Sequence, residues 1–178
     1  LKKTVLTFGL ISGVVIAILM SITTAFADQI GFDRAIIVGY TTMLVAFLLV
    51  FFGIKSYRDN IGGGEISFGR AFTVGILITL ITCFFYVLSW EILYYTFLHD
   101  FPEKYGNYMI EKARASGATA EQLAQQLEEV KNMKALLDNP VLGPAVIFIS
   151  EPLPVGIIMT LISAAILRKR RKQVEVPV

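Results

Sequence analysis

Long apolar blocks alternate with short polar stretches along the chain, and the clearest block is Ala71–Trp90, AFTVGILITLITCFFYVLSW. It carries no charge between basic Arg70 and acidic Glu91. Hydrocarbon about 30 Å thick takes roughly 20 helical residues to cross, so this block has the length of a membrane span. Val5–Ala27, Ala35–Ile54 and Val141–Leu167 repeat the pattern. The pattern predicts an all-α integral membrane protein with four transmembrane helices, at approximately 5–27, 35–54, 71–98 and 141–167, in a single membrane domain over 1–178.

The first block follows Lys2 and Lys3 and ends in Ala25-Phe26-Ala27, a signal-peptide look. The apolar run is long enough to span, and we read it as an uncleaved first helix. A first residue of Leu rather than Met suggests a start that was removed or that lies outside this sequence. Gly9 and Gly13 form a GxxxG pair that lets another helix come close.

Asp28–Arg34 reads as a short polar turn, with Asp33 placed to cap the second helix or complement its dipole. Tyr40 falls at interface depth. Lys55–Arg70, KSYRDNIGGGEISFGR, reads as a flexible non-spanning connection. Its three glycines permit unusual backbone angles and expose amides, as a phosphate-cradling turn does, but the Lys-Ser/Thr pair of a nucleotide loop is missing. Lys55, Arg58 and Arg70 are the candidate cytoplasmic contacts for lipid headgroups or a partner.

Residues 99–140 are the one sizeable aqueous segment, and they predict a helical hairpin. Asp100 and Glu103 have capping-box spacing, Gly117 stops the first helix, and Thr119 with Gln122 makes a cleaner box. Leu123, Leu127, Val130, Met133 and Leu137 then recur at helical spacing, an apolar stripe opposite Glu121, Glu128, Glu129 and Lys131. That stripe is the candidate partner surface, and Asn139-Pro140 closes the helix.

The fourth block is interrupted by Glu151-Pro152-Leu153-Pro154. Prolines lack the amide donor and bend a helix, freeing carbonyls toward a bundle interior. A carboxylate within an apolar span must face the bundle, water or a partner. Glu151 lies 17 residues before Arg168, about 25 Å. Glu91 lies 21 residues after Arg70, about 31 Å, near the same headgroup boundary. Glu151 and Glu91, with Pro152, Pro154, Tyr94, Tyr95 and His99, are therefore grouped as a candidate intramembrane polar site.

Composition and charge sharpen this picture. The chain has 178 residues, 55% hydrophobic and 17% charged, against about a quarter charged in soluble domains. Mean hydropathy is +0.67. Cys83 is alone and mid-span, a buried small hydrophobe. His99 is the lone histidine and has no metal-ligand companion at useful spacing, so neither a metal nor a cofactor is expected. The basic run Arg168–Lys172 reads as an anchor after a span, not a nucleic-acid contact. With four spans, Lys2, Lys3, the glycine connection and Arg168–Lys172 share one side. The hairpin, with five Lys/Arg and seven Asp/Glu, lies on the other. The positive-inside rule puts both termini in the cytoplasm and makes the hairpin extracytoplasmic.

Two stretches around the glycine connection, Gly53-Ile54-Lys55-Ser56-Tyr57-Arg58-Asp59-Asn60 and Gly63-Gly64-Glu65-Ile66-Ser67-Phe68-Gly69-Arg70-Ala71-Phe72, together with Glu151-Pro152 and the basic tail, carry a likeness over nearly the whole chain. In these features the sequence resembles a bacterial family, domain of unknown function 4199, seen mainly in Bacteroidota. The resemblance implies a bacterial inner-membrane protein and transfers no activity, cofactor or catalytic residue.

On the residues themselves, catalysis lacks support: Ser150 beside Glu151 has no histidine in the spans, and the carboxylates have no dyad context. The expected function is a structural, assembly or interaction subunit of the inner membrane, with lipid around it and a second copy or another membrane protein as partner. The alternative is a small solute or proton-coupled transporter acting as an oligomer, with Glu151 as its proton carrier.

Overall fold

A computed structural model describes residues 1–169, so Arg170, Arg171 and Lys172 of the basic run lie outside the described residues. The elements are α1 (Lys2–Ala25), α2 (Ala27–Ile30), α3 (Phe32–Asn60), α4 (Phe68–Thr96), α5 (Phe101–Ala115), α6 (Ala120–Leu137), α7 (Leu142–Ser150) and α8 (Pro152–Leu167). The chain is all-α, with no sheet among the described residues; Ile66 and Lys169 form one isolated antiparallel bridge. Four helices are long and apolar enough to cross a membrane: α1, α3, α4 and the broken Leu142–Leu167.

These four make a bundle. α3 and α4 touch each other, and α1 and α8 each pack against both. Lipid is as apolar as leucine, so close packing of small residues holds such helices together. Gly9 and Gly13 serve this end: a Cβ at Gly9 would stand 2.8 Å from Ile81 Cδ1, and one at Gly13 would stand 2.5 Å from Phe85 Cγ. On α8, Gly156 is seated against Thr79 and Phe47, and a Cβ there would strike both. Between these contacts Phe47, Val50, Ile54, Val74 and Ile78 are fully buried. The outward faces carry Ile18, Ile37, Phe84 and Ile166, each more than half exposed, as expected of surfaces meeting lipid.

Helix ends depart from the sequence reading in ways that follow from length. α3 has 29 residues, about 44 Å, which exceeds the hydrocarbon, so Lys55–Asn60 stay helical instead of joining the loop. At its other end α3 begins at Phe32, with Gly31 in the cap position and no side-chain cap. Asp33 sits inside the first turn and pairs with Lys112 Nζ at 2.9 Å. Asp100 likewise makes no side-chain cap to α5. It pairs with Lys104 at 2.9 Å, while Glu103 reaches Lys134 at 2.5 Å, so two ion pairs replace the expected box. The Thr119–Gln122 box forms in both directions.

The glycine connection is held by its own backbone. Gly63 and Gly64 have φ of 62° and 85°, the left-handed region that glycine enters without a Cβ clash. The amides of Gly62 and Gly64 donate to the carbonyls of Tyr57 and Arg58, each at 3.0 Å, and Glu65 N donates to Gly62 O. Ile66 exchanges both backbone bonds with Lys169. A phosphate cradle would present such amides outward; four of them are spent on protein carbonyls instead.

The hairpin closes on itself and then docks. Val130 of α6 lies against Gly106 of α5, where a Cβ would collide with it. Phe32, at the start of α3, meets Phe101, Tyr105 and Tyr108 with ring centroids 5.2–6.3 Å apart. Trp90 meets Phe101 edge-on at 5.6 Å. This aromatic cluster fixes α5 over the end of the bundle where α1 gives way to α3.

Candidate functional site

The polar site inside the bundle is built where the fourth span breaks. Pro152 starts α8 at the helical position where a missing amide costs least, and Glu151 is the single residue between α7 and α8. Glu151 is half-buried, and its Oε2 accepts a hydrogen bond from the Tyr86 hydroxyl of α4 at 2.5 Å. A carboxylate at the centre of a span costs about 2.5–3.5 kcal/mol on insertion scales and less at the depth of Glu151, nearer the hairpin-side boundary, and a charged hydrogen bond returns about 1.5–3 kcal/mol. One hydroxyl therefore offsets much of the cost. Deeper in the bundle the Thr79 and Thr160 hydroxyls pair at 2.9 Å, and Ser12 donates to Ala46 O at 2.9 Å. These bonds join helices that lipid alone would not hold.

Tyr86 was absent from the sequence-based grouping, yet a signal for it exists. It stands 16 residues after Arg70, about 24 Å, which matches the depth of Glu151 measured from Arg168. Glu91 is five residues further on, about 7.5 Å along the axis and some 140° around the helix from Tyr86. The structure does not bring Glu91 into the Glu151 hydrogen bond: Glu91 is half-buried on another face and makes no side-chain hydrogen bond among the described residues. Tyr94 is 1% exposed, and its hydroxyl donates to Asp138 Oδ1 at 2.7 Å, so it anchors the hairpin. Tyr95 and His99 are exposed beside Tyr94, with ring centroids 5.3 and 5.9 Å from it. Pro152 is buried and Pro154 exposed.

Of the apolar stripe on α6, Leu137 is buried and Val130 faces Gly106. Met133 packs against the core, Leu123 is half-buried, and Leu127 is 46% exposed. Most of the stripe is thus taken up inside the molecule. Lys55 and Arg70 are exposed, while Arg58 pairs with Asp59 at 2.7 Å. No three His, Cys, Asp or Glu side chains come together as a metal cage among the described residues.

Tyr86 also lines a cleft of about 570 Å³, of which Glu151 is not a lining residue. Ile16 and Met20 of α1, Ala35, Gly39 and Thr42 of α3, and Tyr86, Trp90 and Leu93 of α4 line it, and Phe101, Lys104 and Tyr105 of α5 cover its mouth. Outside the spans, α5 is tied down by Lys112. The Asp33 carboxylate, and then the Tyr108 hydroxyl at 3.1 Å, hold its ammonium above the ordinary lysine value.

Against known proteins, the family described as DUF4199, protein of unknown function, matches residues 7–169. The chain belongs to this family. No curated protein and no solved structure matches it. The DUF4199 match takes in α1 from residue 7 on, the other three spans, the hairpin, Tyr86 and Glu151.

Proposed function

We propose that this DUF4199 protein is a non-catalytic structural, assembly or interaction subunit of the bacterial inner membrane. Both termini and the glycine connection lie in the cytoplasm, and the hairpin lies outside. The observation that carries this reading is the Tyr86–Glu151 hydrogen bond. The one carboxylate at the break of a span is satisfied by a neighbouring helix, which fixes the bend and sets α7 against the end of the hairpin. The docked hairpin then offers a fixed polar face, with exposed Glu121, Glu128, Glu129 and Lys131, to a partner on its side of the membrane.

Mild extraction followed by mass measurement tests it. The reading expects a particle larger than the 19.7 kDa chain, unchanged by Glu151→Gln, which keeps an acceptor for Tyr86. A monodisperse monomer with no partner would overturn it.

The transport alternative draws on a separate observation: Tyr86 lines the cleft and also holds Glu151, so a path from the hairpin side reaches the carboxylate through one hydroxyl. Transport expects pH-dependent flux in reconstituted vesicles that disappears in Glu151→Gln. Equal flux in wild type and variant removes it.

A further inference from the structure

The cleft between α1, α3 and α4 has a depth and a polarity gradient that point to one class of occupant. Its floor is Ile16, Thr42 and Tyr86. Thr42 lies nine residues in from Asp33 at the start of α3, about 14 Å along the axis, close to half of the ~30 Å hydrocarbon. The cleft therefore begins at headgroup level on the hairpin side and reaches about 6 Å inward along α4, from Trp90 to Tyr86, and about 14 Å along α3, all within the hairpin-side leaflet. Its walls are apolar for most of that depth. At the mouth stand Asp100 and Lys104, paired at 2.9 Å. A volume of about 570 Å³ falls within the range of small-molecule sites.

We propose that this cleft binds one acyl chain of a phospholipid from the hairpin-side leaflet, with the lipid head beside the Asp100–Lys104 pair and under α5. Leaving lipid for the cleft gains no hydrophobic energy, because both are apolar. The gain is in dispersion: a cleft wall without a neighbour forfeits contacts that a chain of methylenes supplies. The polarity runs the same way as that of the lipid, apolar at the floor and charged at the mouth. Trp90 adds a second element. It lines the cleft at about the level where Arg70, 20 residues and about 30 Å away, places the far hydrocarbon boundary. Its Nε1–H is buried and meets no acceptor among the described residues, and a lipid ester oxygen lies at that depth.

Trp90 is the one tryptophan of the chain, so its fluorescence reports on the cleft. Gly39 supplies the means to fill the site: it lines the cleft, and a Cβ built on it meets nothing within 4 Å. The experiment reconstitutes wild type, Gly39→Leu and Ala35→Phe in phosphatidylcholine vesicles with rising fractions of a phospholipid brominated on its acyl chain. Both side chains project from α3 one turn apart, so the second variant serves if the first fails to fold, judged by circular dichroism. Wild type is expected to show a saturable quenching phase on top of the shallow phase from surrounding lipid. A leucine at Gly39 narrows the cleft along α3 and takes contacts from the chain, and the apparent affinity of the saturable phase is expected to fall roughly tenfold or more. Identical quenching curves for wild type and a folded variant overturn the proposal. Quenching of wild type by a brominated free fatty acid but not by the phospholipid overturns the lipid assignment as well. Because no flux or partner is read, the outcome stands apart from the subunit reading.

Discussion

The Tyr94 hydroxyl donates to Asp138 Oδ1 at 2.7 Å, joining the end of α4 to the C-cap residue of α6 across 44 positions of sequence. A ring that is 1% exposed holds an acidic side chain at the point where α6 turns into α7. Removing the hydroxyl leaves the packing and takes away the bond. Tyr94→Phe is expected to cost about 1.5 kcal/mol, read as a lower midpoint of thermal unfolding in detergent, with faster proteolysis in the hairpin. An unchanged midpoint and cleavage rate would mean that the aromatic cluster alone docks the hairpin.

Two glycines facing different surroundings separate packing from helix propensity. At Gly13 a side chain would run into the Phe85 ring, so Gly13→Leu is expected to cost about 2–3 kcal/mol or more as α1 is pushed off α4. At Gly39 the space is open, so Gly39→Ala is expected to be neutral or to gain roughly 0.5 kcal/mol. Paired unfolding curves check both, and equal effects would contradict the α1–α4 contact.

Cys83 is 0% exposed within the bundle. A maleimide should leave it unmodified in the folded protein and label it once the bundle is unfolded in strong detergent. That silence allows topology mapping without removing the native thiol. Asn60→Cys and Ser116→Cys are both at exposed positions at opposite ends of the bundle. In intact cells an impermeant reagent is expected to label Ser116→Cys and not Asn60→Cys; the reverse pattern would invert the proposed orientation.

Lys112 bears on pH. Its partner Asp33, and then Tyr108, raise it above the ordinary lysine value. A raised folded value means that the contribution is fully present below the unfolded lysine value and is lost as pH rises through the folded one. Hairpin docking is thus expected to be insensitive to this lysine at neutral and mildly alkaline pH. Lys112→Met should remove the contribution, a small one for so exposed a pair, and added salt should weaken it in wild type alone. Protease sensitivity of the hairpin, followed against pH and salt, checks this.

What could be read in advance followed one dimension of the chain. The spans announce themselves because crossing hydrocarbon demands an unbroken apolar length. The break at Glu151 is legible because proline cannot donate, and the Thr119–Gln122 box because its two bonds are local. Depth was also legible, and it grouped Glu91, Tyr94, Tyr95 and His99 with Glu151. Direction around the helix was not included in that grouping. Tyr86 faces Glu151 and Glu91 does not, and only the packing of α4 against α7 and α8 decides which. The α6 stripe gave the opposite difficulty: its period marks a buried face without saying whether α5 or another protein buries it. Asp33 and Asp100 make no side-chain cap; Asp33 stays in the acidic first turn of α3, and each pairs with a lysine, Lys112 from a distant helix and Lys104 from its own.

A span cut at one residue behaves as two rods with a joint. The α7 rod follows the hairpin across the turn at 138–141, and the α8 rod is wedged into the bundle through Gly156 and Thr160. The joint itself is clasped by Tyr86, which forms part of the cleft floor. A force applied to the hairpin from outside is therefore delivered within the hairpin-side leaflet at a single carboxylate, beside the space offered to lipid.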